Sequence, residues 1–227
     1  MQLLEGQIDG LINRALAEDL GSGDVTTDTL IAPDWQGKAY FMVKADGVLA
    51  GIEIAQRIFH RVDPEVVMEI LIRDGAVIKR GDIPATVSGK FSSILRAERL
   101  AVNFLQHLSG IASETARFIE TVRGLPVLIL DTRKTLPGLR MLEKYAVRTG
   151  GGHNHRLNLG DGILIKDNHL AMLASRGLNL KEAVAKARRE APFRFKIEVE
   201  VTTPEEALQA SEAGAEIILL DNMSVGD

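Results

Sequence analysis

The residues with the most chemical potential lie in "RTGGGHNHRLNLGDG", residues 148–162. Three consecutive glycines lead into two histidines and an arginine, within a chain whose formal net charge is −4. Residues 131–169 hold seven Lys/Arg and four acids, so this stretch carries +3 and the remainder −7. It also holds three of the five histidines. A local reversal of sign on an acidic protein is an anion-binding footprint, unless it is a solvated charged face.

Three kinds of chemistry fit the quoted stretch. His153-x-His155 offers two imidazoles to a metal, but zinc needs a third protein ligand and no second histidine pair follows. A phosphate-binding P-loop requires Gly-Lys-Ser/Thr, which is missing. The third is an anion pocket, in which glycines let the backbone approach a ligand. There Arg156 grips a carboxylate bidentately and His155 adds a switchable donor.

Four apolar runs end in polar residues: Asp131-Thr132-Arg133-Lys134, Lys166-Asp167-Asn168-His169, Glu198-Val199-Glu200 and Asp221-Asn222. In α/β barrels the chemistry gathers at the C-terminal ends of the strands. Alternation in "KIEVEV" puts Glu198 and Glu200 on one face. Buried carboxylates need partners: a metal, ligand hydroxyls, or structural pairing with Lys166 or Lys196.

The elements that must position these groups follow from periodicity. Ile8, Leu11, Ile12, Ala15, Leu16 and Leu20 recur at helical spacing, predicting an amphipathic helix over 7–20. Short Val/Ile-rich runs broken by Asp-Gly and Arg-Gly-Asp follow, with the signature of hairpins and an antiparallel sheet, so residues 1 to about 90 read as α+β. Over 92–123 the period becomes helical; Ser92 and Ser93 are candidate caps and Gly110 a candidate break. After Gly124, "LPVLIL", "GILIKDNHL", "FKIEVEVTT" and "AEIILLDNM" read as parallel strands buried on both faces. Helical patterns separate them, and Thr203-Pro204 is a helix start that Gly214 ends.

Composition excludes several classes. With 45% apolar and 26% charged residues, 227 residues can bury a core as one large or two smaller domains. No run of about 18 apolar residues predicts a membrane span. "MQLLEGQIDG" lacks the basic start of a secretory signal. There is no cysteine, which excludes disulfides and thiolate metal sites and fits a cytoplasmic protein. A pI near 5.8 argues against a general nucleic-acid binder.

"EDLGSGDVTTD", "RAERLAVNFLQHLSGIAS", "DTRKTLPGLRMLEKYAVRTGGGHNHRLNLGDGILIKDNH" and "EVEVTTPEEALQASEAGAEIILLDN" together resemble the quinolinate phosphoribosyltransferases over nearly all of residues 18–224. The resemblance implies an α/β protein with an N-terminal α+β sandwich-like domain (1–109) and an incomplete α/β barrel (110–227). It implies a type II phosphoribosyltransferase of NAD biosynthesis. Quinolinate and phosphoribosyl pyrophosphate would react with Mg2+ to give nicotinate mononucleotide, pyrophosphate and CO2. It further implies a homodimer whose sites are completed by the neighbouring subunit; with the composition above, the expectation is a cytoplasmic protein with neither nucleic-acid nor membrane partners.

By the same resemblance, Thr132, Arg133, Lys134, His155, Arg156 and Lys166 surround the quinolinate carboxylates and nearby phosphates. Arg99 would reach across from the partner subunit. Glu200 and Asp221 would meet the ribose hydroxyls and the metal. Lys134, Lys166, Glu200 and Asp221 would carry the catalytic roles. The family continues past "DNMSVGD" with further barrel strands and loops for the donor phosphate, so the resemblance implies an open barrel with an unpaired edge and incomplete donor binding. Two alternatives remain at this point: the molybdenum-transport-associated paralogue of the same superfamily, and a non-catalytic protein that dimerises or binds the ligand. The intact Thr-Arg-Lys, His-Asn-His-Arg and Lys-Asp-Asn-His residues favour the quinolinate enzyme.

Overall fold

A computed structural model describes residues 5–192 and 195–226. Residues 1–4, 193–194 and 227 lie outside it, including the first four of the stretch read as lacking a secretory signal and the last of "DNMSVGD". The chain forms two compact units that meet in sequence between His155 and Arg156.

The first unit is α+β. Its helices are α1 (Glu5–Leu20), α2 (Val25–Leu30), α3 (Ile52–Val62), α4 (Phe91–Thr121) and α5 (Arg140–Thr149). Its strands are β1 (Gln36–Tyr40), β2 (Gly47–Val48), β3 (Val67–Ile70), β4 (Val77–Ile78) and β5 (Ala85–Lys90). The sheet is antiparallel, as the alternating pattern predicts, in the order β1-β5-β3, with β2 and β4 as a separate antiparallel pair. Hairpins between consecutive strands do not form. The glycines of the breaks take left-handed turns (Gly75 φ 87°, Gly81 φ 98°), but β4 is two residues long and β3 pairs beyond it with β5.

α1 spans the predicted helix, burying Ile8 and Ile12. α4 is the spine of the core: its Ile94, Ala97, Ala101, Leu108 and Ala112 are buried in one apolar cluster with Ile54, Ile58 and Phe59 of α3. Phe59 also meets Phe41 edge to face at 6.0 Å. Gly110 does not split α4. Its side is open, and burial continues through Ala112 and Thr115, which outweighs a glycine cost of about 1 kcal/mol. The predicted division at 109/110 therefore falls inside one continuous helix. Ser92 and Ser93 are not caps either. Both lie buried inside the first turn, and Ser93 Oγ donates to Asp63 Oδ2 at 2.8 Å. Asp74 caps α3, accepting from Gly51 N (2.8 Å) and Ile52 N (2.9 Å), and Tyr145 of α5 donates its hydroxyl to it at 2.6 Å. Burial, then Asp74, raises the Tyr145 phenol above its ordinary range.

The second unit alternates strand and helix: β6 (Ile163–Ile165), α6 (Asp167–Ala174), α7 (Leu180–Glu190), β7 (Ile197–Val201), α8 (Pro204–Glu212) and β8 (Ile217–Leu220). Its sheet is parallel, order β6-β7-β8, with Ile197, Val199 and Val201 fully buried on the central strand. Thr203 Oγ1 accepts from Glu206 N with Pro204 at the first turn, and Gly214 (φ 86°) follows the helix end, as predicted. The fourth predicted strand is not one. Residues 125–130 make one isolated bridge, Leu130 to His153, and Leu125, Val127, Leu128 and Leu130 are half to two-thirds exposed. Hydrophobic content alone does not make a strand where the ladder has only one residue to pair with.

Glu216 ties this unit together. It accepts from Ile197 N at 2.7 Å and pairs with Arg188 at 2.5 Å. The Arg188 hydrogen bond, chiefly, and that of Ile197 hold its carboxyl down to about 2. A depressed carboxyl stabilises above its unfolded value near 4.5, and that contribution disappears as pH falls toward 2. Both side chains are more than a third exposed, so the effect is small at high salt. Glu216→Gln is expected to flatten the stability profile between pH 4.5 and 2; an unchanged acid-unfolding slope would count against this linkage.

Candidate active site

In the first unit the site residues sit on two segments held side by side. His153 N donates to Ile129 O (2.9 Å) and Asp131 N to His153 O (3.0 Å), a short parallel pairing. Beyond it the chain turns: Lys134 N donates to Thr132 Oγ1 and Thr135 N to Arg133 O, each at 3.0 Å. The turn places Arg133 half-buried and Lys134 exposed. Among the described residues, Arg133 Nε is buried with no hydrogen-bond partner. A buried guanidinium donor left open is costly, and a carboxylate is its natural complement.

The loop after the turn is anchored to helices. Arg140 Nε donates to Thr135 Oγ1 at 3.1 Å, and Leu136 N donates to Glu143 Oε2 at 3.2 Å. Glu143 Oε1 in turn meets His107 Nε2 of α4 at 3.0 Å. Under the turn lies an ion pair between Asp131 and Lys144, whose side chains are 7% and 1% exposed. Asp131 also accepts from Asn154 Nδ2 (2.5 Å) and from His155 N (2.9 Å). The sequence reading missed Asp131, Lys144 and Asn154 as a group, because nothing in the spacing of "RMLEKYAVRT" marks Lys144 as buried between Leu142 and Ala146.

The glycine triplet has a structural role that the sequence reading assigned to a ligand. Gly151 (φ 92°) ends α5 in the left-handed conformation, while Gly150 and Gly152 pack against α4 and the last turn of α5. A Cβ on Gly150 would run into the carbonyl oxygen of Ala112 and approach Thr115 Cβ to 2.9 Å; on Gly152 it would lie 2.8 Å from Thr115 Cγ2 and Val147 Cγ1. Gly150→Ala is therefore expected to cost about 2–3 kcal/mol by overpacking, against about 1 kcal/mol for Gly151→Ala, which meets only Ile119 Cγ1 at 3.8 Å. Denaturant midpoints in the opposite order would refute the packing assignment.

In the second unit, the site residues occupy the C-terminal ends of adjacent parallel strands. Ile165 pairs with Val199 and Glu200 with Leu219, so Lys166, Glu200 and Asp221 end neighbouring strands at one rim. Lys166 Nζ donates to Glu200 Oε2 at 2.5 Å, and the Glu200 side chain is 12% exposed. Asp221 continues the ladder, its N donating to Val201 O at 2.8 Å. It precedes Asn222 at φ 53°, a left-handed non-glycine residue at a strand end. Glu198 is buried, 7% exposed, on the face predicted for it. Arg156 opens this unit, its guanidinium 3.4 Å from Gly162 O, and Asp161 accepts from Leu157 N (2.8 Å) and Asn158 N (3.3 Å) to hold the loop between them.

The structure thus groups Thr132, Arg133, Lys134 and His155 in one unit, and Lys166, Glu200 and Asp221 in the other. Arg99 joins neither group. It is exposed on α4 and, among the described residues, has no hydrogen-bond or ion-pair partner. No group of three or more His, Asp or Glu is arranged to hold a metal among the described residues, so His153 and His155 do not form the metal site considered from the sequence. Among the described residues, no helix is long and apolar enough to cross a membrane.

An α+β unit followed by parallel strands with cationic and acidic tips is an α/β architecture whose chemistry gathers at the C-terminal ends of the strands. The comparisons agree. The N-terminal domain model of quinolinate phosphoribosyl transferase matches residues 24–109, and its C-terminal domain model matches residues 111–227. A relative in Synechocystis, named probable nicotinate-nucleotide pyrophosphorylase (carboxylating), is 41% identical over 216 residues, covering 95% of this chain and 72% of that protein. One of the same name in Bacillus subtilis is also 41% identical, covering 95% and 73%. The crystal structure of NadC from Streptococcus pyogenes superposes with a TM-score of 0.93 at 44% identity, covering all of this chain and 79% of that one. The chain belongs to the quinolinate phosphoribosyltransferase family.

Proposed function

We propose that the protein transfers a phosphoribosyl group from phosphoribosyl pyrophosphate to quinolinate, with decarboxylation, giving nicotinate mononucleotide, pyrophosphate and CO2 in NAD biosynthesis. The observation that carries this reading is the buried, unpartnered Nε of Arg133 in a cationic turn, on a chain of this family. Quinolinate is a dianion, and an acidic protein must concentrate its cations to hold it. In the first unit Thr132, Arg133, Lys134 and His155 supply donors for its carboxylates; in the second unit Arg156 and Lys166 supply donors for carboxylates or phosphates.

The pyridine nitrogen has a free lone pair, so its attack on the anomeric carbon needs no general base. As the carbon–oxygen bond to pyrophosphate lengthens, the ribose gains positive charge, which Glu200 and Asp221 stabilise. Loss of CO2 then leaves the C2 electron pair beside the ribosylated pyridinium nitrogen, whose positive charge stabilises it until it takes a proton from solvent, with Lys134 and Lys166 countering the changing charge. Glu200 and Asp221 are hard oxygen donors, and Mg2+ takes one or two carboxylates plus substrate phosphates rather than a full protein cage. That donor set fits, with Glu200 and Asp221 as the protein ligands. When bound, Mg2+ would neutralise charge on the pyrophosphate.

We place the protein in the cytoplasm and read it as a homodimer in which Arg99, exposed on α4, serves the neighbouring subunit's site. Mixing inactive Arg99→Ala and Lys166→Ala subunits is expected to restore part of the activity; no recovery after verified subunit exchange would refute the role in trans. The reaction itself is tested by following pyrophosphate and CO2. Equal amounts are expected, each requiring quinolinate, phosphoribosyl pyrophosphate and Mg2+. Monodisperse protein that releases neither in a quinolinate-dependent manner would overturn the proposal.

A further inference from the structure

We propose that the buried Asp131–Lys144–Asn154 network is the positioning unit for the substrate cations of the first unit, a reading that rests on quinolinate being the ligand. The backbone pairing between the two site segments stops at Asp131 and His153. Beyond it, side chains take over. Asp131 Oδ1 accepts from Lys144 Nζ and from His155 N, its Oδ2 accepts from Asn154 Nδ2, and Asn154 Nδ2 also donates to Lys144 O at 2.9 Å. One carboxylate thereby clamps the start of the Thr132–Arg133–Lys134 turn, the segment carrying His155, and helix α5.

The charge of the pair has a second effect. Asp131 stands two and three residues from Arg133 and Lys134. Without Lys144 it would be a buried anion competing with substrate carboxylates for those cations. Lys144, 1% exposed, neutralises it from below and leaves Arg133 and Lys134 to the ligand. A fully buried ion pair is poor evidence for stability, since an uncharged pair of similar shape commonly folds as well. Removing one partner alone leaves an uncompensated charge and is disruptive, so the informative change removes both.

The test is the double variant Asp131→Asn/Lys144→Met, with Asn154→Ser beside it. Each is characterised by its thermal midpoint and by calorimetric titration with quinolinate. The double variant is expected to keep a midpoint within about 5 °C of the parent, yet to bind quinolinate about tenfold or more weakly, because small displacements of ligand-gripping groups carry large penalties. Asn154→Ser introduces no buried charge and is expected to weaken binding about fivefold. A merely structural role would move affinity and midpoint together or leave both unchanged. A folded double variant with parental affinity overturns the proposal. If the double variant does not fold, parental affinity in Asn154→Ser overturns it alone. Failure of the parent to bind quinolinate, seen before any variant is made, overturns the site reading instead, and this proposal with it.

Discussion

Arg133→Ala is expected to weaken quinolinate binding by roughly 30-fold or more, the equivalent of about 2–5 kcal/mol for loss of one partner in a desolvated charged contact. The expectation comes from where the side chain sits. Its Nε is buried with no hydrogen-bond partner among the described residues, so that donor already carries a desolvation cost without a bond to offset it. Lys134, one residue on, is exposed, and Lys134→Ala is expected to lower affinity less. Arg133→Lys should recover only part of the loss, since an ammonium cannot reproduce the planar fork. Calorimetric titration of the three variants checks the order; parental affinity in Arg133→Ala would remove Arg133 from the site.

Lys166→Ala is expected to lower turnover about 100-fold or more and to destabilise the second unit. Lys166 partners Glu200 at 2.5 Å, and the glutamate side chain is 12% exposed. Losing the lysine leaves a largely covered carboxylate unpaired, but the lysine is itself 42% exposed and solvent screens the pair, so the cost is about 1–2 kcal/mol. The catalytic and structural parts can be separated. Lys166→Met combined with Glu200→Gln removes both charges and is expected to regain most of the stability but none of the turnover, because one preorganised charge at the reacting centre commonly accounts for a factor of about 100 or more. A double variant that recovers turnover together with stability would make the pair purely structural.

How much of this was legible in the sequence depends on how local the cause is. The helix over 7–20, the Thr203–Pro204 start and the polar tips of the parallel strands follow from spacing within one segment, and the structure forms each of them. Alternation in "KIEVEV" correctly put Glu198 and Glu200 on one face, and the Lys166 pairing weighed for them is the one formed by Glu200. What escaped depends on neighbours far along the chain. The role of Gly150 is set by the Ala112 carbonyl, 38 positions earlier. The importance of Lys144 comes from Asp131 and Asn154, and its burial has no periodic signature. Gly110 reads as a break until the packing of α4 is known, and "LPVLIL" reads as a buried strand until its pairing is counted.

The central claim is that the cations around the 131–134 turn, together with His155, hold a pyridine dicarboxylate. Titration of the protein with quinolinate at low and high salt tests it most directly. One site per chain is expected, with affinity falling as ionic strength rises from about 0.05 to about 0.5 M, because screening weakens the attraction of a dianion to a cationic cluster. No measurable heat or site occupancy at low salt, or an affinity indifferent to salt, would contradict the account.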